Sequence, residues 1–271
     1  MEHTLRQLLR FDPIYRTDFK RISPLERLIP TFSFYTRFLS VVFRASSKAK
    51  KGRYDDAEWY QSSLATLRAL ERVGVHFEIS GLEHLERLDT PCVVVANHMS
   101  VLETTILPMI LLPVKRVTFI VKESLINYPV FKHILRSRHP IVVNRTNARQ
   151  DLKTVMREGV DRLRKGISVI VFPQTTRTHA FDPKKFNSMG VKLASRAKVP
   201  VVPLALLTDA WGNGRLIKEF GKIDVSRTVR FAFGRPIWVE ERAGAVHREI
   251  IGFVGRNLKH WRSLTGPTKA Q

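Results

Sequence analysis

The pattern of apolar and polar positions divides the chain into two parts near residue 70. In the first part, apolar residues recur at helical spacing, which predicts amphipathic helices. The clearest stripe is Phe32, Tyr35, Phe38, Leu39 and Val42. From about residue 75, short β-branched runs alternate with amphipathic stretches, and the β-branched runs have the composition of strands buried on both faces. This alternation predicts an α/β domain with a mostly parallel twisted sheet flanked by helices.

Seven apolar runs are predicted to be strands, with helices between several of them. The predicted strands are Val75–Ile79, Cys92–Ala96, Val117–Val121, Ile141–Val143, Ser168–Phe172, Val201–Leu206 and Val229–Phe233. Helical patterns are clearest in Ala148–Lys165 and Phe186–Ala197. We therefore expect an N-terminal amphipathic helical segment (residues 1–70), an α/β domain (residues 71–264) and a loose C-terminal tail (residues 265–271).

The chain is strongly basic. It has 46 Lys and Arg residues against 24 Asp and Glu residues, a formal net charge of +22. This charge would attract an anionic membrane, an acidic carrier protein or nucleic acid. The basic residues are spread along the chain and no nucleic-acid motif accompanies them, so nucleic acid is the weakest of these partners.

A local cluster of charge accompanies the N-terminal apolar stripe. Between Arg37 and Arg53 there are six basic residues and no acidic one. An apolar stripe beside a basic cluster is typical of an interfacial helix on anionic lipid. The alternative is a helix that packs on the main domain with its charges in solvent, and the two interpretations are compatible. We expect a peripheral or monotopic protein on the cytoplasmic face of a membrane.

Several other classes of protein lack support in the sequence. The N-terminus does not have the pattern of a secretory signal, and no apolar run is a convincing membrane-spanning helix. The single cysteine, Cys92, lies in an apolar run and is best explained as a core residue. The spacings typical of metal ligands, of a serine-hydrolase elbow and of a phosphate-binding P-loop do not occur, so we expect no metal and no resident cofactor.

Polar residues follow four successive predicted strands. The first segment contains His98 and Glu103, the second begins at Lys122, the third contains Arg145, and the fourth contains Thr175, Thr176 and Arg177. In open α/β sheets, ligands bind beyond the carboxyl ends of the strands. Cations and hydroxyls that converge at one edge favour a phosphate group.

His98 and Glu103 form the candidate catalytic pair. Ser100 and Glu103 have the spacing of a capping box, which predicts a helix start and leaves His98 on the preceding loop. From that loop the imidazole can fold back to the carboxylate, which would hold one ring nitrogen and leave the other as a base. A purely structural histidine near a capping glutamate is the alternative from these residues alone.

The ordered segments resemble those of the glycerolipid acyltransferases, typified by lysophosphatidic acid acyltransferase. The family's Asn-His-x4-Asp block is matched from Asn97-His98 to Glu103, and its Phe-Pro-Glu-Gly-Thr-Arg-Ser block is matched by Phe172–Thr178. The run from His139 to Arg145 and the Val-Pro-x-x-Pro strand from Val199 to Pro203 match two further blocks. The ordered set covers about half of the chain.

The resemblance implies direct acyl transfer from acyl-CoA or an acyl-carrier protein to a lysophospholipid hydroxyl, with His98 and Glu103 as a dyad. It also implies that Arg145, Arg177 and the adjoining threonines hold the acceptor's phosphate, with Lys122 nearby. Glu103 replaces the usual Asp, and Gln174-Thr175 replaces Glu-Gly. These departures put the acceptor in question more than the chemistry, and leave an inactive lipid-binding relative as the alternative. Candidates to line the acyl groove are the N-terminal helices and Ile106–Pro113, and the latter stretch is equally well explained as part of the core.

Overall fold

The computed structural model describes residues 14–18, 22–174, 176–214 and 217–264. In this part of the chain, eight strands form one sheet in the order β1-β2-β8-β7-β3-β6-β4-β5. The strands are β1 (Ile14–Arg16), β2 (Phe77–Ser80), β3 (Val93–Ala96), β4 (Val117–Lys122), β5 (Ile141–Val143), β6 (Ser168–Val171), β7 (Val201–Leu207) and β8 (Val229–Phe233).

The five neighbouring strands from β7 to β5 are parallel to one another, so their carboxyl ends lie at one edge of the sheet. Strand β3 lies between β7 and β6, and β4 lies between β6 and β5, with every one of these pairs parallel. The antiparallel pairs are β1 with β2 and β7 with β8. The predicted mostly parallel α/β fold is confirmed.

Side-chain alternation along the strands builds a core on each face of the sheet. In β3, Val94 and Ala96 join one cluster of buried residues, whereas Val93 and Val95 join the other. All four side chains are buried, as expected for a strand covered on both faces. The consecutive β-branched residues therefore supply both layers of the core.

One face is covered by the N-terminal helices and by the helix after β3. These elements are α1 (Pro24–Leu28), α2 (Pro30–Lys50), α3 (Asp56–Arg72), the short α4 (Glu83–Glu86) and α5 (Leu102–Leu111). Helix α2 has proline in its first turn, and the Asp55 carboxylate caps α3 by accepting the amide of Glu58 at 2.9 Å. Both features are favourable at helix N-termini.

The remaining helices follow later strands. Their bounds are α6 (Glu123–Ile126), α7 (Phe131–Ser137), α8 (Ala148–Arg164), α9 (Met189–Ala197) and α10 (Ala243–Leu264), with a 3-10 turn at Pro183–Lys185. Helices α8, α9 and α10 cover the second face of the sheet. Helix α9 begins three residues later than predicted, because the Asn187 side chain accepts the amide of Met189 and starts the helix there.

The seven predicted strands are confirmed, two with identical bounds and five with shifts of one or two residues at one or both ends. The helical prediction for residues 1–70 is wrong at β1, which pairs antiparallel with β2 through Ile14 and Ser80. A three-residue edge strand has too little periodicity to be recognised from sequence, and its pairing partner is distant in the chain. The C-terminal tail and residues 1–13 lie outside the described residues.

Helix α2 belongs to the hydrophobic core on one face of the sheet. Phe34 is fully buried and contacts the ring of Trp211 edge-to-face, with centroids 4.7 Å apart, and Phe38 contacts the same ring at 5.0 Å. Of the predicted stripe, Phe38 and Val42 are buried, but Phe32 is 66% exposed. No described helix has the length and apolar character needed to cross a bilayer.

Candidate active site

The polar strand-end residues meet at one edge of the sheet. Strands β3, β6, β4 and β5 are neighbours and parallel, so the segments that follow them lie side by side. His98, Lys122, Arg145 and Arg177 all line a single cavity of about 410 Å³. The structure therefore brings together four of the residues singled out from sequence.

His98 lies on the loop between β3 and α5, as predicted. Its Nδ1 atom is 2.9 Å from Oε1 of Glu103. An ionised carboxylate only accepts hydrogen bonds, so this contact places the imidazole proton on Nδ1 and leaves Nε2 as the basic nitrogen. The imidazole is 13% exposed and stacks on the ring of Phe172, with centroids 4.4 Å apart.

Glu103 is a fully buried carboxylate whose oxygens are surrounded by donors. Besides His98, Oε1 accepts the amide of Met99 at 2.6 Å and that of Ser100 at 3.0 Å. Oε2 accepts the hydroxyl of Thr208 at 2.7 Å and lies 3.0 Å from the hydroxyl of Ser100. A buried charge is tolerable only when its lone pairs are satisfied in this way.

These contacts decide the ionisation of Glu103. Burial alone would raise the pKa of this carboxyl, because it penalises the charged form. The hydrogen bond and charge of His98, together with the hydrogen bonds from Thr208 and Ser100, outweigh burial and lower the pKa. Glu103 is thus a carboxylate at neutral pH and can stabilise a positive imidazole.

The extra methylene of Glu103 does not separate the pair. The N-terminus of α5 starts at Leu102, whose amide donates to the Ser100 hydroxyl at 3.1 Å. Ser100 also donates its own amide to Glu103. This turn is a variant of the predicted capping box, and it folds the longer side chain back under the loop that carries His98.

Gln174 holds the same loop from the other side. Its side-chain oxygen accepts the backbone amide of His98 at 2.8 Å, and the amide of Thr178 donates to the carbonyl of His98 at 3.0 Å. The Gln174 side chain is buried. Gln174 also lines the cavity, so an effect of this residue on the acceptor stays a prediction. Its contact with the backbone of His98 was not expected, and it arises because β3 and β6 are adjacent strands.

Three cations of the cavity wall are the strand-end residues Lys122, Arg145 and Arg177. Arg177 pairs with Glu219, with Nη2 and Oε1 2.7 Å apart. Lys122 is the last residue of β4 and is exposed. Thr176 is exposed and does not line the cavity, so its role in binding stays a prediction, and Thr175 lies outside the described residues.

Arg145 adopts an unusual backbone conformation. Its φ is +63°, in the left-handed region that side chains other than glycine rarely adopt. The carboxylate of Asp151 holds this turn by accepting the amides of Asn144 at 3.1 Å and Arg145 at 2.9 Å. Burial lowers the pKa of Arg145, Asp151 opposes this effect and the positive charge of Arg177 adds to it. The two arginines are thus close enough to repel, which favours an anion near them.

The remainder of the cavity is mostly apolar. Its apolar lining includes Phe38, Val41, Val42, Ala45, Trp59, Phe119, Leu125, Tyr128, Phe131 and Ile134. Helix α2 therefore contributes to the wall, as expected of the N-terminal helices. The expectation for Ile106–Pro113 is wrong: this stretch does not line the cavity, and Ile106 and Leu107 are fully buried in the core, because α5 turns its apolar residues toward α3 and the sheet.

Three residues of the site were not identified from sequence. Thr208 directly follows β7, so the strand-end rule that selected the other residues would have found it. Asn97, which precedes His98, bonds the backbone of Leu206 through both its side-chain oxygen and its side-chain nitrogen. Glu219 has no local signal, because its position depends on a long connection after β7.

Cys92 has the structural role expected of it. It is fully buried, and burial raises the pKa of its thiol to about 11, so it is not a thiolate near neutral pH. Among the described residues there is no cluster of three or more His, Cys, Asp or Glu side chains arranged to hold a metal ion.

Comparisons with known proteins agree with this geometry. The family model described as Acyltransferase matches residues 76–207. A 1-acyl-sn-glycerol-3-phosphate acyltransferase of Pseudomonas aeruginosa is 33% identical over 132 residues, which is 49% of each chain. A chloroplastic 1-acyl-sn-glycerol-3-phosphate acyltransferase of Brassica napus is 31% identical over 140 residues, 52% of this chain and 38% of that one.

A solved structure extends the likeness to nearly the whole fold. The 1-acyl-sn-glycerophosphate acyltransferase PlsC from Thermotoga maritima superposes with a TM-score of 0.60 and 22% identity, covering 91% of this chain and 99% of that one. In the sequence matches, the chain covers 49% of the Pseudomonas relative and 38% of the Brassica relative, which is half of their length or less. The resemblance recognised in the sequence is confirmed.

Proposed function

We propose that this chain is an O-acyltransferase that moves a fatty acyl chain from a thioester to the hydroxyl of a lysophospholipid, a proposal supported by the match of residues 76–207 to the Acyltransferase family model. The observation that carries the proposal is the contact between His98 and Glu103 at the wall of a largely apolar cavity. The lining of the same cavity includes Lys122, Arg145 and Arg177, whose positive charges suit an acceptor with a phosphate.

The chemistry follows from the orientation of His98. Nε2 removes the proton of the acceptor hydroxyl while the hydroxyl oxygen attacks the thioester carbonyl. The resulting tetrahedral intermediate expels the thiolate, which takes the proton from the imidazolium to give a free thiol. General-base help of this kind contributes about 10²–10⁴-fold to the rate. Glu103 holds the ring through Nδ1 and stabilises the imidazolium that forms.

The substrates divide between the two ends of the cavity. We assign the phosphate of the acceptor to Arg145 and Arg177, with Lys122 close to the same end, because these side chains bring positive charge near the catalytic histidine. The apolar part of the cavity wall, to which α2 contributes, accommodates the acyl chain. The donor is acyl-CoA or an acyl-carrier protein, and no resident cofactor takes part in the proposed reaction.

We further propose that the protein works on the cytoplasmic face of an anionic membrane, held there through α2. Leu28, the last residue of α1, and Phe32, in the first turn of α2, are 78% and 66% exposed, and six basic residues occur from Arg37 to Arg53 inclusive. Exposed apolar side chains next to basic residues favour the headgroup region of anionic lipid. The acyl cavity shares α2 as a wall, so lipid bound there would lie close to the site.

The activity is tested by incubating purified protein with anionic liposomes, an acyl thioester and a panel of lysolipids. Thiol release and diacyl product are measured for the wild type, His98→Ala and Glu103→Asp. We expect product with at least one phosphorylated lysolipid, none above background with His98→Ala, and reduced product with Glu103→Asp. Tight liposome binding without product for every substrate pair would favour an inactive lipid-binding relative.

Membrane association is tested by co-sedimentation with vesicles of phosphatidylglycerol and phosphatidylcholine. Phe32→Ser should weaken binding to the anionic vesicles. The matched control is Trp238→Ser, which also removes an exposed aromatic ring (49% exposed) but lies outside α2. An equal loss of vesicle binding in both variants would contradict the proposal, and so would tighter binding of the wild type to duplex DNA than to vesicles.

A further inference from the structure

The ion pair between Arg177 and Glu219 lies at the wall of the cavity that contains His98. Nη2 of Arg177 is 2.7 Å from Oε1 of Glu219, and the two side chains are only 17% and 20% exposed. Both residues line the cavity. Glu219 lies outside residues 76–207, the part that the family model matches, so the family motifs do not account for it.

The pair engages only part of the guanidinium. Nη1 of Arg177 is buried and has no hydrogen-bond partner among the described residues. A buried donor without a partner is unfavourable, and an oxygen of an incoming anion would satisfy it. Glu219 thus holds one nitrogen of Arg177 while another stays available, which suits a side chain that must be oriented before a phosphate arrives.

Glu219 is in turn positioned by helix α2. Its backbone oxygen accepts the indole N–H of Trp211 at 3.0 Å, and the Trp211 ring packs against aromatic side chains of α2. The hydroxyl of Tyr35 donates to the carbonyl of Gly221 at 2.6 Å. The amide of Ile223 donates to the hydroxyl of Thr31 at 3.1 Å. Residues 217–224 are therefore held against α2 through Gly221 and Ile223, which both follow Glu219 in the chain, and through Trp211.

We propose that Glu219 is a positioning residue for the acceptor phosphate, and that it links helix α2 to the phosphate end of the site. This inference rests on the proposed function. Glu219 orients Arg177 so that Nη1 meets the phosphate, and the backbone contacts of residues 217–224 transmit the position of α2 to that arginine. The carboxylate thereby favours acceptors that carry a phosphate over those that lack one.

The test is the kinetics of Glu219→Ala and Glu219→Gln with lysophosphatidic acid and with unphosphorylated 1-monoacylglycerol. For Glu219→Ala we expect KM for lysophosphatidic acid to rise about 10-fold, the size expected for one hydrogen bond to a charged group. The kcat at saturating acceptor, the KM of the thioester and the kcat/KM for monoacylglycerol should change little. Glu219→Gln keeps an oxygen acceptor and should fall between wild type and Glu219→Ala.

Two further variants separate positioning from general damage. Glu249→Ala removes an exposed carboxylate of α10 and should behave as the wild type. Tyr35→Phe removes the bond to Gly221 and should raise KM for lysophosphatidic acid in the same direction, but by less. An equal loss of kcat with both acceptors would indicate a structural role and overturn the proposal. A fall in KM in Glu219→Ala would show that the carboxylate competes with phosphate, and would overturn it as well.

A binding measurement keeps this inference separate from the proposed function. Calorimetric titration with sn-glycerol 3-phosphate requires no turnover, so it reports on the phosphate end of the site alone. We expect weaker binding to Glu219→Ala than to wild type and to Glu249→Ala. If wild type turns over no lysolipid, the proposed function fails. If binding is equal in all three proteins, the positioning role of Glu219 fails, whatever the activity.

Discussion

The side-chain oxygen of Gln174 accepts the backbone amide of His98 at 2.8 Å, across the boundary between the β6 and β3 loops. His98 is consequently held at three points: its ring by Glu103, its amide by Gln174 and its carbonyl by Thr178. The imidazole of His98 is thus oriented by two segments more than 70 residues apart in the chain. Such fixed orientation is what general-base catalysis requires.

Removal of the Gln174 contact should slow the reaction. In Gln174→Ala the buried amide of His98 loses its acceptor, which costs about 1–3 kcal/mol, and we expect kcat to fall about 10-fold. Gln174→Glu retains an oxygen acceptor and should recover much of the activity. Initial rates at saturating substrates measure the effect, and equal rates for wild type and Gln174→Ala would show that the contact is dispensable.

Glu103 should make stability depend on pH in the acid range. Its pKa is lowered in the folded protein from the ordinary value of 4.5, so the unfolded chain binds more protons between the folded pKa and 4.5. The stabilisation is fully present above 4.5 and is lost as the pH falls toward the folded pKa. Thermal unfolding from pH 7 downward should show this loss in wild type. Glu103→Gln, which cannot titrate at this position, should lack that part of the decline.

Substitutions of Arg145 and Thr176 should have different effects on acceptor binding. Arg145→Ala removes a charged donor from the cavity, and we expect KM for a phosphorylated acceptor to rise about 10-fold or more. Thr176→Ala changes an exposed side chain away from the cavity wall and should alter KM less than about twofold. Steady-state kinetics with lysophosphatidic acid distinguishes them, and a larger effect at Thr176 would contradict the geometry.

Helix α2 should influence the choice of acyl chain. Ala45 is buried and lines the cavity, so Ala45→Phe fills space that a long chain would occupy. Overpacking costs about 1–3 kcal/mol, and we expect kcat/KM for long-chain thioesters to fall about 10-fold while that for short chains falls less. Ser47→Phe, which changes an exposed position of the same helix, is the matched control. A uniform loss over all chain lengths would point to damaged folding instead.

The fold and the dyad could be recognised from sequence because their signals are local. Buried parallel strands require β-branched runs such as Val93–Val95, and residues such as His98 follow these runs directly. The ordered motif blocks added the pairing of His98 with Glu103, five residues apart. The sequence also favoured Thr176 and Ile106–Pro113, neither of which lines the cavity, since exposure and packing are not encoded in the spacing of one segment.

The sequence by itself determined seven of the eight described strands, the edge of the sheet where the polar strand-end residues gather and the residue types found there. Only the tertiary structure decided that Gln174 supports His98, that Thr208 completes the shell of Glu103, and that Glu219 pairs with Arg177. These contacts join residues far apart in the chain, so they depend on which strands are neighbours and on how α2 packs. Hydrophobic periodicity specifies each strand and helix separately, whereas the contacts between them arise only when the core assembles.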